Sequence, residues 1–328
     1  MKIKISELKR ISEKILNIYG YSSSEVATIM DILMYAQLRG NNQGVIKLLG
    51  KNFLKDANAG VVEIVRETKL SVLLNGNYIN GMLVMMKALE IGITKAKEHG
   101  FAIVGTNNTN TSIGAAGYYA SKVAEEQMIG FVHAGTPPLV APFGSYEPVF
   151  GTNPIAIGIP ATSMPIIYDM TTAAMPFFGL VEANTSGKSI PDNIAFDKEG
   201  NITTDPKAAI EGALKTFDSG YKGSGLSMII EILTGPLVHA SFGGIGDVSK
   251  NWGNIIYIID PELLVDIDQF RNEVTQLQEK VKKSKKLPKI KDVYNPGERG
   301  TQRHQISIDS EELEIDKSLY DNLVKIVT

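Results

Sequence analysis

The stretch VVEIVRETKLSVLLNGNYINGMLVMMKALEIGITKAKEHGFAIVG, residues 61–105, decides the fold class. It opens with two short β-branched runs, Val61 to Val65 and Leu70 to Leu74, and Asn75-Gly76-Asn77 supplies turn residues after the second. Apolar side chains then recur at helical spacing from about Met82 to His99 and lead into a further run, Phe101 to Gly105. Strands and a helix alternating over so short a distance predict an α/β protein.

Outward from that stretch the alternation continues. A helix is expected over Ala115 to Gln127, and strands over Met128 to His133 and Ile155 to Ile159. Upstream the chain is helical. Leu8, Ile11, Ile15 and Ile18 share one face of a helix that stops at Gly20. Ser22 and Glu25 have capping-box spacing before a second helix, whose face is Val26, Ile29, Met30 and Leu33 and whose end is Gly40. A third helix is expected from Val45 to about Leu54.

Residues Thr171 to Asp205 are rich in small and turn-forming types and predict a long, partly irregular excursion. Lys222 to Leu237 reads as a glycine-entered apolar helix. Asp260-Pro261 is an N-cap and first-turn pair for a charged helix ending near Lys286, whose KVKKSKK end is a solvated face. Leu313 to Val327 predicts a final packing helix. The expected division is a helical part, residues 1–60, packed with the C-terminal segment 290–328, and an α/β region, 61–289, that binds cofactor and substrate and has room for two subdomains.

Composition narrows the function. The chain has 328 residues, 43% of them hydrophobic, enough to bury a sizeable core. Its 33 basic and 36 acidic residues leave a net charge of -3, and no basic cluster interleaves with aromatics, so nucleic acid is not expected as a partner. Without cysteine there is no disulfide, thiol nucleophile, iron–sulfur ligation or cysteine-bound zinc, and a redox role needs an organic cofactor. His99, His133, His239 and His304 are dispersed and lack metal-ligand spacing, so no metal site is expected. The N-terminal MKIKISELKRISEKILNIYG is not a signal peptide, and no apolar run is long enough to span a membrane, so a cytoplasmic address is expected.

The familiar signatures are missing. No G-x-G-x-x-G follows a first strand, and the clusters Gly243-Gly244-Ile245-Gly246 and Gly220 to Gly225 fit neither that spacing nor the phosphate-loop pattern. No elbow serine in G-x-S-x-G is present.

Seven collinear segments instead carry a resemblance: AQLRGNNQGVIKLL (Ala36 to Leu49), GAAGYYA (Gly114 to Ala120), FGTNPIAIGIP (Phe150 to Pro160), YDMTTA (Tyr168 to Ala173), IPDNIAFDKEGNITTDP (Ile190 to Pro206), YKGSGLS (Tyr221 to Ser227) and NPGERG (Asn295 to Gly300). In order and in extent the chain resembles the type-2 malate/L-lactate dehydrogenases, which include sulfolactate and ureidoglycolate dehydrogenases, diketogulonate reductase and piperideine-carboxylate reductase. The resemblance implies a non-Rossmann, mixed or largely antiparallel sheet flanked by helices, a helical N-terminal part, NAD or NADP as cofactor, a small-molecule substrate, and a homodimer with each active site near the subunit interface.

It also implies residue roles. Tyr168, Asp169, Met170, Thr171 and Thr172 stand where the family has a D-M-A-T-S segment contacting the nicotinamide nucleotide, and Lys222-Gly223 and Gly297-Glu298-Arg299 match two further cofactor segments. Lys47 stands where the family often has a carboxylate-gripping arginine, keeping the charge without the bidentate fork, and Arg39 and Asn153 fall among the substrate-binding positions.

The chemistry departs from the family pattern. A serine–histidine–glycine triplet there supplies the proton donor, and here the triplet is Asn42-Gln43-Gly44; a second family histidine corresponds to Ser112. Glutamine can hydrogen-bond a substrate oxygen but does not cycle a proton near neutral pH. Three readings stay open at this level: an active NAD(P)-dependent oxidoreductase of a carboxylate-bearing 2-oxo or 2-hydroxy acid or a cyclic imine, with His133, Asp169 or Lys222 as substitute acid; a nucleotide-binding pseudoenzyme acting as sensor or partner subunit; or a structural homodimer.

Overall fold

The computed structural model describes residues 1–50 and 53–328. The chain opens with β1 (Lys2–Lys4), α1 (Ile5–Ile18) and α2 (Ser23–Leu38). Ser22 accepts from the Glu25 amide while the Glu25 carboxylate accepts from the Ser22 amide, the reciprocal capping that the spacing predicts. The helix expected from Val45 to about Leu54 is a 3-10 turn, Val45–Leu49, and Lys51 and Asn52 lie outside the described residues. Gln37 sets the turn, because its Oε1 accepts from the Val45 amide at 3.1 Å.

Next come β2 (Glu63–Glu67), β3 (Ser71–Asn75), α3 (Gly81–His99), β4 (Phe101–Thr109), α4 (Ala116–Glu125), β5 (Ile129–Ala134), β6 (Ile155–Ile159) and β7 (Ile166–Met170). The predicted excursion over Thr171 to Asp205 is more ordered than expected. It contains α5 (Phe177–Ser186) and β8 (Ala195–Phe196), and with α6 (Pro206–Glu211) and β9 (Ala213–Leu214) it builds a small core around Leu180, Ile190, Ala195, Ala209 and Leu214. Few apolar residues serve that core, so no periodicity marked it.

The remaining elements are α7 (Tyr221–Thr234), β10 (Trp252–Ile259), α8 (Ile267–Lys282), α9 (Glu298–Ser310), β11 (Glu312–Glu314) and α10 (Lys317–Val327). Asp260-Pro261 caps a 3-10 turn, Pro261–Leu263, and α8 takes Asp266 as its own N-cap. The predicted tail helix is split into β11 and α10.

Seven strands form one sheet in the order β2-β3-β4-β10-β5-β6-β7. Only β3 and β4 run parallel, joined by α3 as a crossover, and every other neighbouring pair is antiparallel. The central strand β10, with Ile255, Ile256, Ile258 and Ile259 between Trp252-Gly253 and Asp260-Pro261, was not anticipated. Its Ile256 and Ile258 join the main core with Val132, Met85 and Tyr119, whereas Ile255 faces the opposite side, with Val238, Leu233 and Tyr257. The chain ends come together where β1 pairs with β11, and α1 packs on α10.

Candidate active site

A cavity of about 640 Å³ opens where the main core meets the small core of residues 139–214. Its walls are mostly apolar, including Ile113, Leu139, Phe177, Phe178 and Trp252, and a few polar groups converge on it. That composition suits an organic ring and a small substrate. Gln43, Lys47, Ser112, Asp169, Met170 and Thr171, drawn from three separate stretches of sequence, all line it.

Lys47 is the least ordinary of these. The 3-10 turn carries it inward, and only 2% of its surface is exposed. Its Nζ donates to Ser112 Oγ at 2.6 Å and lies 4.0 Å from the centre of the Phe178 ring. No carboxylate among the described residues reaches it as an ion pair. Burial therefore pulls its pKa from 10.5 down to about 7, while the ring face favours the ammonium. Ser112 Oγ also accepts from the Gly114 amide at 3.1 Å.

Asp169 comes from β7 and meets the first turn of α4, where its Oδ2 accepts from the Gly117 amide at 3.0 Å. A Cβ at Gly117 would sit 2.8 Å from that oxygen, so the glycine of the GAAGYYA segment is what admits the carboxylate. The surrounding protein pushes the Asp169 pKa up to about 6, with the amide opposing. The carboxylate is itself open to the cavity. Behind it the NPGERG segment closes on β7: Pro296 accepts from the Ile167 amide, and Gly297, at φ 85°, would place a Cβ 2.8 Å from the Ile167 carbonyl oxygen.

Other predicted residues lie off the cavity wall. Tyr168 is exposed on β7 with its hydroxyl on the Met170 sulfur, and Thr172 is buried with its hydroxyl on the Thr152 carbonyl. Lys222 is exposed in the first turn of α7, whose Gly223 amide donates to Asp218. Glu298 is buried and paired with Lys282, Arg299 stacks on Tyr294, and Arg39 stacks on Tyr35. Asn153 is fully buried, and its amide is engaged by the Ser227 carbonyl at 3.0 Å and by Glu231 at 2.5 Å. It shapes the loop whose Thr152 and Pro154 line the cavity and does not line it itself.

His133 lies off the cavity wall. It pairs with Ile255 across β5 and β10 and stacks edge-on against Tyr257, on the face opposite its neighbour Ala134, and it is Ala134 that lines the cavity. Burial lowers its pKa to about 4, so it is neutral at pH 7 and placed away from the cavity.

Glu231 is a contributor that sequence reasoning missed. Only 8% exposed, it accepts from the amides of Gly151 at 3.2 Å and Gly243 at 2.7 Å and from Asn153, tying the G-T-N-P loop to α7. A lone acidic residue in an apolar helix was the available signal. Among the described residues there is no cluster of metal-binding side chains and no helix long and apolar enough to cross a membrane.

Comparison with known proteins agrees with this architecture. The family described as malate/L-lactate dehydrogenase matches residues 3–324. Malate/(S)-sulfolactate dehydrogenase of Methanothermus fervidus is 37% identical over 99% of this chain and 97% of its own length. A delta(1)-pyrroline-2-carboxylate reductase of Burkholderia ambifaria is 30% identical over 72% of the chain and 71% of its own length. The solved structure of sulfolactate dehydrogenase from Methanocaldococcus jannaschii superposes with a TM-score of 0.86 at 30% identity, covering 99% of this chain and 96% of that one. The fold and cavity thus define a non-Rossmann oxidoreductase. The chain belongs to the malate/L-lactate dehydrogenase family.

Proposed function

We propose that this protein transfers hydride between a nicotinamide cofactor, NAD or NADP, and a small carboxylate-bearing 2-oxo or 2-hydroxy acid or cyclic imine. The observation that carries the reading is the cavity itself, which gathers Gln43, Lys47 and Ser112 on one side and Asp169, Met170 and Thr171 on another. Its apolar walls fit a nicotinamide ring, and the bound cofactor would supply or take up the hydride. The Asp169–Thr171 segment would hold that end of the nucleotide, while Tyr168, Thr172, Lys222, Gly223, Gly297, Glu298 and Arg299 would act further out, by direct contact or by holding the loops in place. Gln43 would hydrogen-bond the substrate. The names of the relatives, which include dehydrogenases of malate and sulfolactate and a reductase of a cyclic imine acid, support that substrate range.

A cytoplasmic homodimer goes with the reading. The exposed apolar side chains of Met228, Ile229 and Ile232 on α7, and of Ile64 and Val65 on β2, support a subunit contact. The test is fluorescence titration with NADH and NADPH, followed by a turnover screen on 2-oxo acids and cyclic imines. Quenching and turnover with one nucleotide are expected. Failure to bind either would refute the reading, and binding without turnover would move the protein to a nucleotide-binding role.

A further inference from the structure

We propose that Lys47 and Ser112 form a proton relay that takes the place of the missing histidines, with the Ser112 hydroxyl donating to the substrate and Lys47 resupplying it. The inference rests on the reaction proposed above and deepens it.

Hydrogen-bond bookkeeping at Ser112 carries the argument. A hydroxyl offers one donor and two acceptor positions. Lys47 Nζ occupies one acceptor position and the Gly114 amide the other, so the remaining O–H is left to donate. Ser112 lines the cavity, and none of the described hydrogen bonds uses that proton within the protein. The hydroxyl is therefore oriented as a donor, with an ammonium bound directly behind it.

The surroundings leave Lys47 uncommitted. Of the ionisable groups on elements packed around its turn, Tyr19 at the end of α1 donates to the Leu48 carbonyl, Asp31 of α2 accepts from Tyr118, Arg39 stacks on Tyr35, Glu182 of α5 accepts from Asn42 and Tyr320 of α10 donates to Glu7. Asp169 is the carboxylate that shares the cavity, and its Oδ2 is engaged by Gly117. A lysine desolvated without a counter-ion releases its proton near neutrality, which an arginine does not.

The step balances as follows. A bound dihydronicotinamide would supply the hydride to the carbonyl or imine carbon, its own oxidation balancing the two electrons the substrate gains. The substrate's oxygen or nitrogen takes the Ser112 proton, Ser112 Oγ takes one from Lys47, and the neutral amine is reprotonated from solvent after release. Oxidation runs the same path backwards. The substrate's carboxylate is then left to Gln43 and Asn41, whose amides also line the cavity.

Lys47→Arg separates this role from that of a carboxylate grip. Arginine grips a carboxylate better and holds its proton, so a relay predicts kcat for reduction lowered by about 10²-fold or more with KM held within a few-fold. Ser112→Ala should lower kcat on the same scale. Unchanged NADH titration in both variants shows that the fold and the nucleotide site survive. Independently of turnover, labelling of Lys47 by acetic anhydride, followed by mass spectrometry against pH, should show a near-neutral midpoint. That midpoint should fall in Ser112→Ala, which removes an acceptor for the ammonium. Wild-type kcat in Lys47→Arg, or an ordinary lysine midpoint, would overturn the relay and leave the reaction class standing. Absence of turnover in the wild-type protein would overturn the reaction class itself and the relay with it.

Discussion

Replacing Glu231 by glutamine removes one acceptor and one charge from a buried site without changing its size. The carboxylate serves three N–H donors, Gly151 and Asn153 on one oxygen and Gly243 on the other, and has no salt bridge among the described residues. Glutamine can keep its carbonyl toward the first pair only by turning its NH2 group on the Gly243 amide. A buried donor left facing another donor costs about 1–3 kcal/mol, and two bonds reduced from charge-assisted to neutral cost about 1 kcal/mol each. Relief from holding an unpaired buried carboxylate offsets part of this. A net loss of about 2 kcal/mol follows, which at ~0.7 kcal/mol per kelvin for a chain of 328 residues lowers Tm by about 3 °C. The same change loosens the loop bearing Thr152 and Pro154, so KM should rise while the chemistry is spared. Scanning calorimetry and steady-state kinetics provide the check. A variant melting within about 1 °C of the parent, with unchanged KM, would refute the idea that Glu231 anchors the cavity wall.

Gly297→Ala should be destabilising for two combined reasons, since a left-handed φ of 85° costs an L-residue about 1–2 kcal/mol and the added Cβ would meet the Ile167 carbonyl at 2.8 Å. Chemical denaturation would show it, and parental stability would remove the case for close packing of that loop on β7. Lys47→Met should change the pH dependence of stability. The native lysine releases its proton near pH 7 and the unfolded one near 10.5, so wild-type stability falls as pH drops across that window and is level below it. Denaturation midpoints measured at several pH values should show Lys47→Met gaining on the parent toward pH 7. A constant difference would mean that the buried amine keeps an ordinary pKa.

Local rules made most elements visible. The capping box at Ser22, the helix Gly81–His99 and the strand Ile155–Ile159 follow from spacing and turn chemistry that neighbouring residues supply. The central strand β10 carried a legible run of isoleucines, yet its place between β4 and β5 is a long-range pairing that no local pattern encodes. Collinear motifs pointed to the cavity from separate parts of the chain, and six of the residues so marked meet there. Asn153, Glu298 and Lys222 carry the same kind of motif signal and lie off its wall, because a motif marks a position and leaves the direction of its side chain open.

The amino-acid sequence alone determined the α/β class, the absence of a glycine fingerprint, and the order of the collinear motifs that carry the family resemblance. The tertiary structure decided where the side chains so marked come to lie. His133 faces away from the cavity because strand register sets which side of the sheet each residue occupies. The pKa of Lys47 is pulled down to about 7 because packing strips it of water with no carboxylate paired to it among the described residues, and the fold brings a hydroxyl 65 residues away in the chain within 2.6 Å of its amine. Desolvation and long-range contact are properties of the folded surroundings, which residue identity and spacing do not specify.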